Sequence, residues 1–218
     1  MTAPQYDVLL ASGSPQRKAI LEELGIRFQT IAMDVEEVTL PSPQETVLEN
    51  ARRKLQAALP CAKPGQAVIA ADTIVWAAGQ VLGKPGNAER ARQYLQMLGG
   101  NAAQAFSGIG VAKAGNREGW LCAENAKFFL RPLSEADISW YISTQEPLSR
   151  AGAIGISHYG EAFISKIEGS YSCIAGLPKN SLLTILAQSP ELAAAILPTP
   201  PPPRPPETQL LSLQRLAL

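Results

Sequence analysis

Cysteine is scarce in this 218-residue chain, and its number is odd. Cys61, Cys122 and Cys173 lie far apart, which fits neither a disulfide framework nor a Cys-x-x-Cys zinc site. The expectation is ordinary reduced thiols in a cytoplasmic protein. Net charge is missing as well: 19 Lys and Arg stand against 19 Asp and Glu. With no chain-wide field, neither a nucleic acid polymer nor a membrane surface is expected as a partner. No stretch approaches the roughly 18 apolar residues of a membrane span. No basic region followed by a long apolar run marks a signal peptide. Neither a Cys-x5-Arg nor an Asp-x-Asp pattern occurs, which argues against two common phosphatase nucleophiles. Histidine occurs once, at His158, and no internal repeat is evident.

The composition that remains is globular, 46% hydrophobic and 17% charged. The length suits one domain with a sizeable core, or one domain with an appendage. The chain is organised around Ala70-Ala71-Asp72-Thr73-Ile74-Val75. Ala67 to Ala71 is too short and too apolar for an amphipathic helix and predicts a buried strand. A carboxylate at the end of such a strand is costly to bury unless a cation or hydrogen-bond donors meet it. Arg17, Lys54 and Lys84, each in its own segment, are the cations that can meet Asp72 across a cleft. The constellation predicts a phosphate and metal site with Asp72 at its centre.

Taken in order, Asp7 to Ala11 predicts a first strand, Ser12-Gly13-Ser14-Pro15 a turn, and Gln16 to Gly25 a helix. Ser14 suits the N-cap, Pro15 the first turn and Gly25 the C-terminal end. Free N–H groups at such a start bind phosphate oxygens, and Arg17 adds a forked cationic donor. A capped helix without a ligand explains the same residues. Phe28 to Met33 predicts a strand ending in the acidic cluster Asp34-Val35-Glu36-Glu37, which offers a hard divalent cation its oxygens or is simply a solvated turn. Gln44 to Leu59 is helical by spacing, with Lys54 at the edge of the apolar stripe. Ala78-Gly79-Gln80 predicts a hairpin turn, and Gly83-Lys84-Pro85 a close backbone approach. Asn87 caps a helix through Leu98.

Phe106 to Ala114 and Trp120 to Leu130 predict antiparallel neighbours. Ser134 caps a further helix carrying Ile138 and Tyr141. Phe163 to Ile167 and Tyr171 to Ala175 predict short strands. A last helix follows Pro178 and buries Leu182, Leu183, Ile185 and Leu186. Of the 18 prolines, eight lie from Pro190 onward. Residues 1–187 are therefore expected to form the domain, and residues 188–218 a Pro-rich, disordered tail. Its Leu210-Leu211-Leu213-Leu216 end offers a docking patch.

From about Val8 to Leu186 the chain resembles the Maf family of nucleotide pyrophosphatases. The resemblance is carried, in order, by Leu10 to Arg17, Val35-Glu36-Glu37, Ala51 to Lys54, Ala71 to Val75 and Leu82-Gly83-Lys84-Pro85. It continues through Leu133-Ser134, Glu146-Pro147, Ala151-Gly152-Ala153, Ile167 to Tyr171 and Gly176-Leu177-Pro178. It implies an α/β fold, a mixed twisted sheet with flanking helices and a deep central cleft, usually in a homodimer. It implies metal-dependent hydrolysis of nucleoside triphosphates to monophosphate and pyrophosphate, with Mg2+, Mn2+ or Co2+ as cofactor. Such an enzyme limits certain or modified nucleotides in the pool, and the family is also associated with arrest of cell division. Under the resemblance Asp72 is the proton acceptor, Glu36 and Asp72 are metal ligands, and Ser12, Ser14, Arg17, Lys54 and Lys84 bind substrate phosphates.

Three places depart from the family pattern. Gln16 stands where a second arginine is usual, Ala102-Ala103-Gln104 replaces a histidine, and Ile156-Ser157-His158 replaces Ile-Gln-Gly beside the nucleotide pocket. These changes keep open a second reading, a catalytically weakened nucleotide-binding regulatory protein whose Pro-rich tail binds a partner. They also remove the usual cue to base preference. His158 either takes the missing polar role or is a surface residue.

Overall fold

The computed structural model describes residues 7–116, 118–197 and 210–217. Apolar runs set the sheet. Strand β1 (Val8–Ala11) pairs in parallel with β2 (Phe28–Thr30) on one side and β3 (Ala67–Ala77) on the other. The hairpin strand β4 (Gln80–Leu82) folds back on β3. The long strands β5 (Ala102–Lys113) and β6 (Glu118–Leu130) follow in antiparallel order, and β7 (Ile164–Glu168) pairs with the end of β6. With β8 (Leu210–Ala217) the described residues form one mixed sheet of eight strands in the order β2-β1-β3-β5-β6-β7, with β4 on β3 and β8 on β6.

Helix α1 (Pro15–Glu23) starts at the carboxyl end of β1, with Pro15 in its first turn and Gly25 beyond its end at φ 68°. Helix α2 (Pro43–Ala58) buries Val47, Leu48, Ala51 and Leu55 on the sheet, the stripe its spacing predicts. Helices α3 (Ala88–Leu98) and α4 (Glu135–Ser143) are capped by Asn87 and by a Ser134–Asp137 box, as their sequences predict.

Side chains alternate along β3. Val68 and Ala70 pack with Leu55 and Ala58 of α2, whereas Ala67, Ile69 and Ala71 pack on the other face with Ile20 and Leu21 of α1. Two glycines on β5 let α2 lie close. A Cβ at Gly108 would sit 2.3 Å from the Val47 carbonyl oxygen, and one at Gly110 3.1 Å from Leu55 Cδ2. The register sets Gly108 directly opposite Asp72.

The structure corrects several boundaries. Strand β3 runs on to Ala77, since Asp72 sits inside the strand rather than at its end. Tyr171 to Ala175 is not a strand but the short helix α5 (Tyr171–Ala175): Ser170 Oγ accepts the Cys173 N–H, and Gly176 closes it at φ 103°. Helix α6 (Lys179–Gln188) buries Leu182, Ile185 and Leu186 but leaves Leu183 partly exposed, since one stripe recurs every three or four residues.

Within the 188–218 segment, described residues form helix α7 (Pro190–Ile196) and β8. Leu192, Ala193 and Ile196 complete the core that holds Val8, Leu10 and Ile185, which a reading based on proline content does not anticipate. Strand β8 pairs with Glu118–Glu124 of β6, and Arg215 lies over the Trp120 ring. The proline run at 198–209 lies outside the described residues.

Cys61 is exposed, while Cys122 and Cys173 are buried free thiols. Burial pushes both of these pKa values up, that of Cys122 to about 11, so neither is a ready nucleophile.

Glu124 on β6 is the buried carboxylate that sequence alone does not single out. It lies at the start of α6, where Pro178 provides no side-chain cap. Its Oε2 accepts from Ser181 Oγ at 3.2 Å and its Oε1 from Asn180 Nδ2 at 3.5 Å. Burial raises its pKa above the ordinary 4.5, outweighing the lowering by the Ser181, Ser170 and Asn180 bonds. A raised folded pKa means that Glu124 contributes stability fully below its ordinary value and loses it as pH rises through the raised one. Glu124→Gln should therefore match the wild type near pH 4 and gain on it progressively at higher pH in urea melts. A constant difference across the pH series would contradict this.

Candidate active site

The cleft follows from how β3 is paired. Strand β5 covers one of its edges from Ala67 to Trp76. On the other edge β1 pairs only as far as Ala70, and β4 begins at Val75. Between them, among the described residues, the edge is open, and Asp72 and Thr73 lie in the opening. A cleft of about 560 Å³ results, within the range of small-molecule sites.

Asp72 lies on the α2 face and is 3% exposed. Its Oδ1 accepts from Lys54 Nζ at 2.6 Å, and its Oδ2 from Asn50 Nδ2 at 3.1 Å. The two donors are four residues apart on α2, hence neighbours on one helix face. Asn50 is buried and also exchanges two bonds with the Val38 backbone, which pins residues 31–42 against α2. Lys54 makes a second ion pair at 2.7 Å with Glu37 Oε1. One ammonium thus joins two carboxylates.

The opposite face brings in α1. Arg17 Nε donates to the Gly176 carbonyl oxygen at 2.7 Å, Nη1 to Ser12 Oγ at 3.1 Å, and Nη2 to Thr73 Oγ1 at 3.4 Å. These acceptors are neutral, so the charge of Arg17 is not cancelled by them. Its pKa is pulled down by burial and pushed back by Asp72 and Glu37, and the guanidinium stays cationic. Three bonds occupy three of its five donors. Ser12 Oγ also receives the Ser14 N–H. Ser14 makes no side-chain cap to α1 and bonds Gln16 instead, so it leaves the first N–H groups of the helix uncapped beside the cleft.

Lys84 follows β4, lines the same cleft and is exposed, with no partner among the described residues. The structure therefore gathers Ser12, Ser14, Arg17, Lys54, Asp72 and Lys84 at one cleft. Glu36 is the exception. It is exposed and does not line the cleft, and its carbonyl oxygen accepts from Arg53 Nη1. The register fixed by Val38 and Asn50 turns Glu37 inward in its place.

Asn50 is a neighbour of Asp72 that the sequence alone does not single out, and Glu37 is the member of the acidic cluster that reaches Lys54. The signal for Asn50 was its spacing, i to i+4 before Lys54. Of the three departures, Gln16 and Ser157 both line the cleft and meet each other, Gln16 Nε2 donating to Ser157 Oγ at 3.4 Å. His158 is exposed at φ 61° with Nδ1 3.1 Å from Ser157 Oγ, outside the cleft lining. Ala102-Ala103-Gln104 starts β5 away from the lining.

A buried carboxylate fixed by an amide and an ammonium is equipped to accept a proton, and the cations and free N–H groups facing it are equipped to bind phosphates. Comparisons with known proteins find relatives over most of the chain. The dTTP/UTP pyrophosphatase of Shigella sonnei (strain Ss046) is 40% identical over 171 residues, 78% of this chain and 86% of that protein. The dTTP/UTP pyrophosphatase of Escherichia coli (strain K12) is 39% identical over the same shares. Among solved structures the Staphylococcus aureus Ham1 protein is similar with a TM-score of 0.40 at 19% identity, over 56% of this chain and 71% of that one, too distant to bear on the site. The model of the Maf-like protein family matches residues 7–189, which span both faces of the cleft from β1 to α6, and the chain belongs to that family.

Proposed function

We propose that the cleft hydrolyses a nucleoside triphosphate between its α- and β-phosphates, releasing monophosphate and pyrophosphate. The observation that carries this reading is the Lys54–Asp72–Asn50 arrangement, in the same cleft as the uncancelled charges of Arg17 and Lys84. The protein is thus a hydrolase of a phosphoanhydride bond, as the names of its relatives state for them.

The chemistry assigns itself residue by residue. Uncapped N–H groups of α1, Ser12, Ser14, Arg17 and Lys84 hold the phosphates. A water molecule attacks the α-phosphorus, and Asp72 takes its proton. The bond to the bridging oxygen breaks, and pyrophosphate leaves with that electron pair. Lys54 and Asn50 keep the carboxylate aimed, and the cations meet the charge that grows on the leaving group.

The donor set also fits a divalent ion. Among the described residues no three His, Cys, Asp or Glu side chains converge in a way that could hold a metal ion, but Asp72 and Glu37 meet at one ammonium. One or two carboxylates are what Mg2+ needs when the substrate supplies phosphate oxygens and water fills the rest. Asp72 and Glu37 would hold Mg2+, Mn2+ or Co2+, which would polarise phosphate oxygens and acidify water. The same reading makes the protein a filter on the nucleotide pool, working as a homodimer in the cytoplasm.

The relatives named for dTTP and UTP make these the first substrates to offer. Purified protein should release pyrophosphate and monophosphate from them faster than from purine triphosphates, and EDTA should stop it. Absence of product across the whole panel, with nucleotide still binding, would overturn the enzyme in favour of a binding protein.

A further inference from the structure

We infer that Arg150 is a substrate-binding residue that takes the polyphosphate end of the nucleotide, and that Glu146 is the positioning residue behind it. The inference rests on the triphosphate reading above and extends it to a cation with no role so far. Glu146 opens the 3-10 turn Glu146–Ser149, Arg150 follows it, and the two face each other at 3.9 Å. That is too long for a hydrogen bond. Both facing atoms, Glu146 Oε1 and Arg150 Nε, are buried without a geometric hydrogen-bond partner among the described residues, and the Tyr141 hydroxyl stands beside the same carboxylate. Buried and unpaired polar atoms are costly and demand a reason.

The reason lies in what holds each of them. Glu146 Oε2 accepts the Tyr159 N–H at 3.2 Å, and a Cβ on Gly155 would come within 2.3 Å of Oε1. The carboxylate is clamped against the loop whose Ile154 to Ser157 form one wall of the cleft. Arg150 also lines the cleft, with 23% of its side chain exposed against 9% for Glu146. Its Nε faces back to Glu146, and its Nη groups have no partner among the described residues.

The wall itself points to the ligand. The Gly152 N–H donates to the Gly83 carbonyl oxygen at 3.1 Å, and the Gly86 N–H to that of Leu148 at 3.2 Å. These bonds dock the Arg150 turn onto the loop that carries Lys84, so the unpaired Lys84 and Arg150, whose loose ion pair with Glu146 engages only its Nε side, share one side of the cleft. Across the cleft Lys54 is already matched by two carboxylates. A forked guanidinium beside an ammonium suits phosphate oxygens.

The test uses the full chain as wild type, Arg150→Ala, Arg150→Lys and Glu146→Gln. Calorimetry measures binding of inorganic tripolyphosphate and, separately, of UMP, and UTP kinetics are taken on the same set. Arg150→Ala should weaken tripolyphosphate by about 10- to 100-fold, the usual loss for a charged hydrogen-bond pair, and leave UMP within about twofold. Arg150→Lys should restore part of that affinity. Glu146→Gln should raise KM for UTP with kcat unchanged, since it touches no reacting atom. Unchanged tripolyphosphate binding in Arg150→Ala, or a loss confined to UMP, would overturn the assignment of Arg150. An unchanged KM in Glu146→Gln would remove its positioning role. A wild type that binds tripolyphosphate but hydrolyses no triphosphate would sink the enzymatic reading alone, and the binding comparison would still decide this one.

Discussion

Asp72→Asn is expected to lower kcat by about a thousandfold, in the middle of the range for removal of a general base. The substitution keeps size and shape, and the fold should survive it. Lys54 retains its pair with Glu37, so no cation is stranded. Melting should therefore move by no more than about 4 °C, the shift that about 1 kcal/mol produces in a chain of this length. Triphosphate should still bind, since Arg17, Lys84 and the α1 amide groups are untouched. Steady-state rates together with calorimetric binding check both halves. A variant that turns over at the wild-type rate would take Asp72 out of the mechanism. One that neither binds nor folds would make it a structural residue.

Gly108→Ala should damage both stability and rate. It would lie 2.3 Å from the Val47 carbonyl oxygen and 3.1 Å from the Leu48 nitrogen, and both are helix backbone that cannot rotate away. Overpacking of this kind costs about 1–3 kcal/mol, and backbone on both sides puts this case at the upper end. The effect reaches the chemistry through α2. Val47 lies three residues before Asn50 and seven before Lys54, the two groups that hold Asp72. Lifting α2 off β5 moves both away from a carboxylate fixed in β3. A displacement of about 1 Å in a positioning group costs on the order of a hundredfold in rate. Urea denaturation should show the stability loss, and kcat should fall even where the variant is fully folded. Wild-type stability and rate in this variant would mean that α2 does not rest on Gly108.

Local chemistry explains why much of the frame was readable. Ser14-Pro15 before an apolar stripe, Asn87 and Ser134 at their caps, and Ala78-Gly79 in the hairpin each act over a few residues. The cleft cations were readable as residue types because each stands out from apolar surroundings. What escaped depends on pairing over long distances. The open edge of β3 exists only because β1 stops at Ala70 and β4 starts at Val75. Nothing near Asp72 in sequence states this.

Glu36 and Glu37 carry the same side chain, and it is the Glu37 carboxylate that meets Lys54 in the structure. Tyr171 to Ala175 has the composition of a strand, yet the Ser170 cap and Gly176 fold it as a helix. Helix α7 and strand β8 found partners in the core and on the β6 edge, which composition rich in proline does not reveal.

The site of water attack is the most direct measurement of the central claim. Hydrolysis of UTP in H2(18)O, followed by mass spectrometry of both products, reports which phosphorus the water attacked. Attack at the α-phosphorus, with pyrophosphate as leaving group, puts the label in UMP and none in pyrophosphate. Label in pyrophosphate, or UDP and labelled orthophosphate as the products, would contradict the assignment of Asp72 as the base for an α-phosphorus displacement.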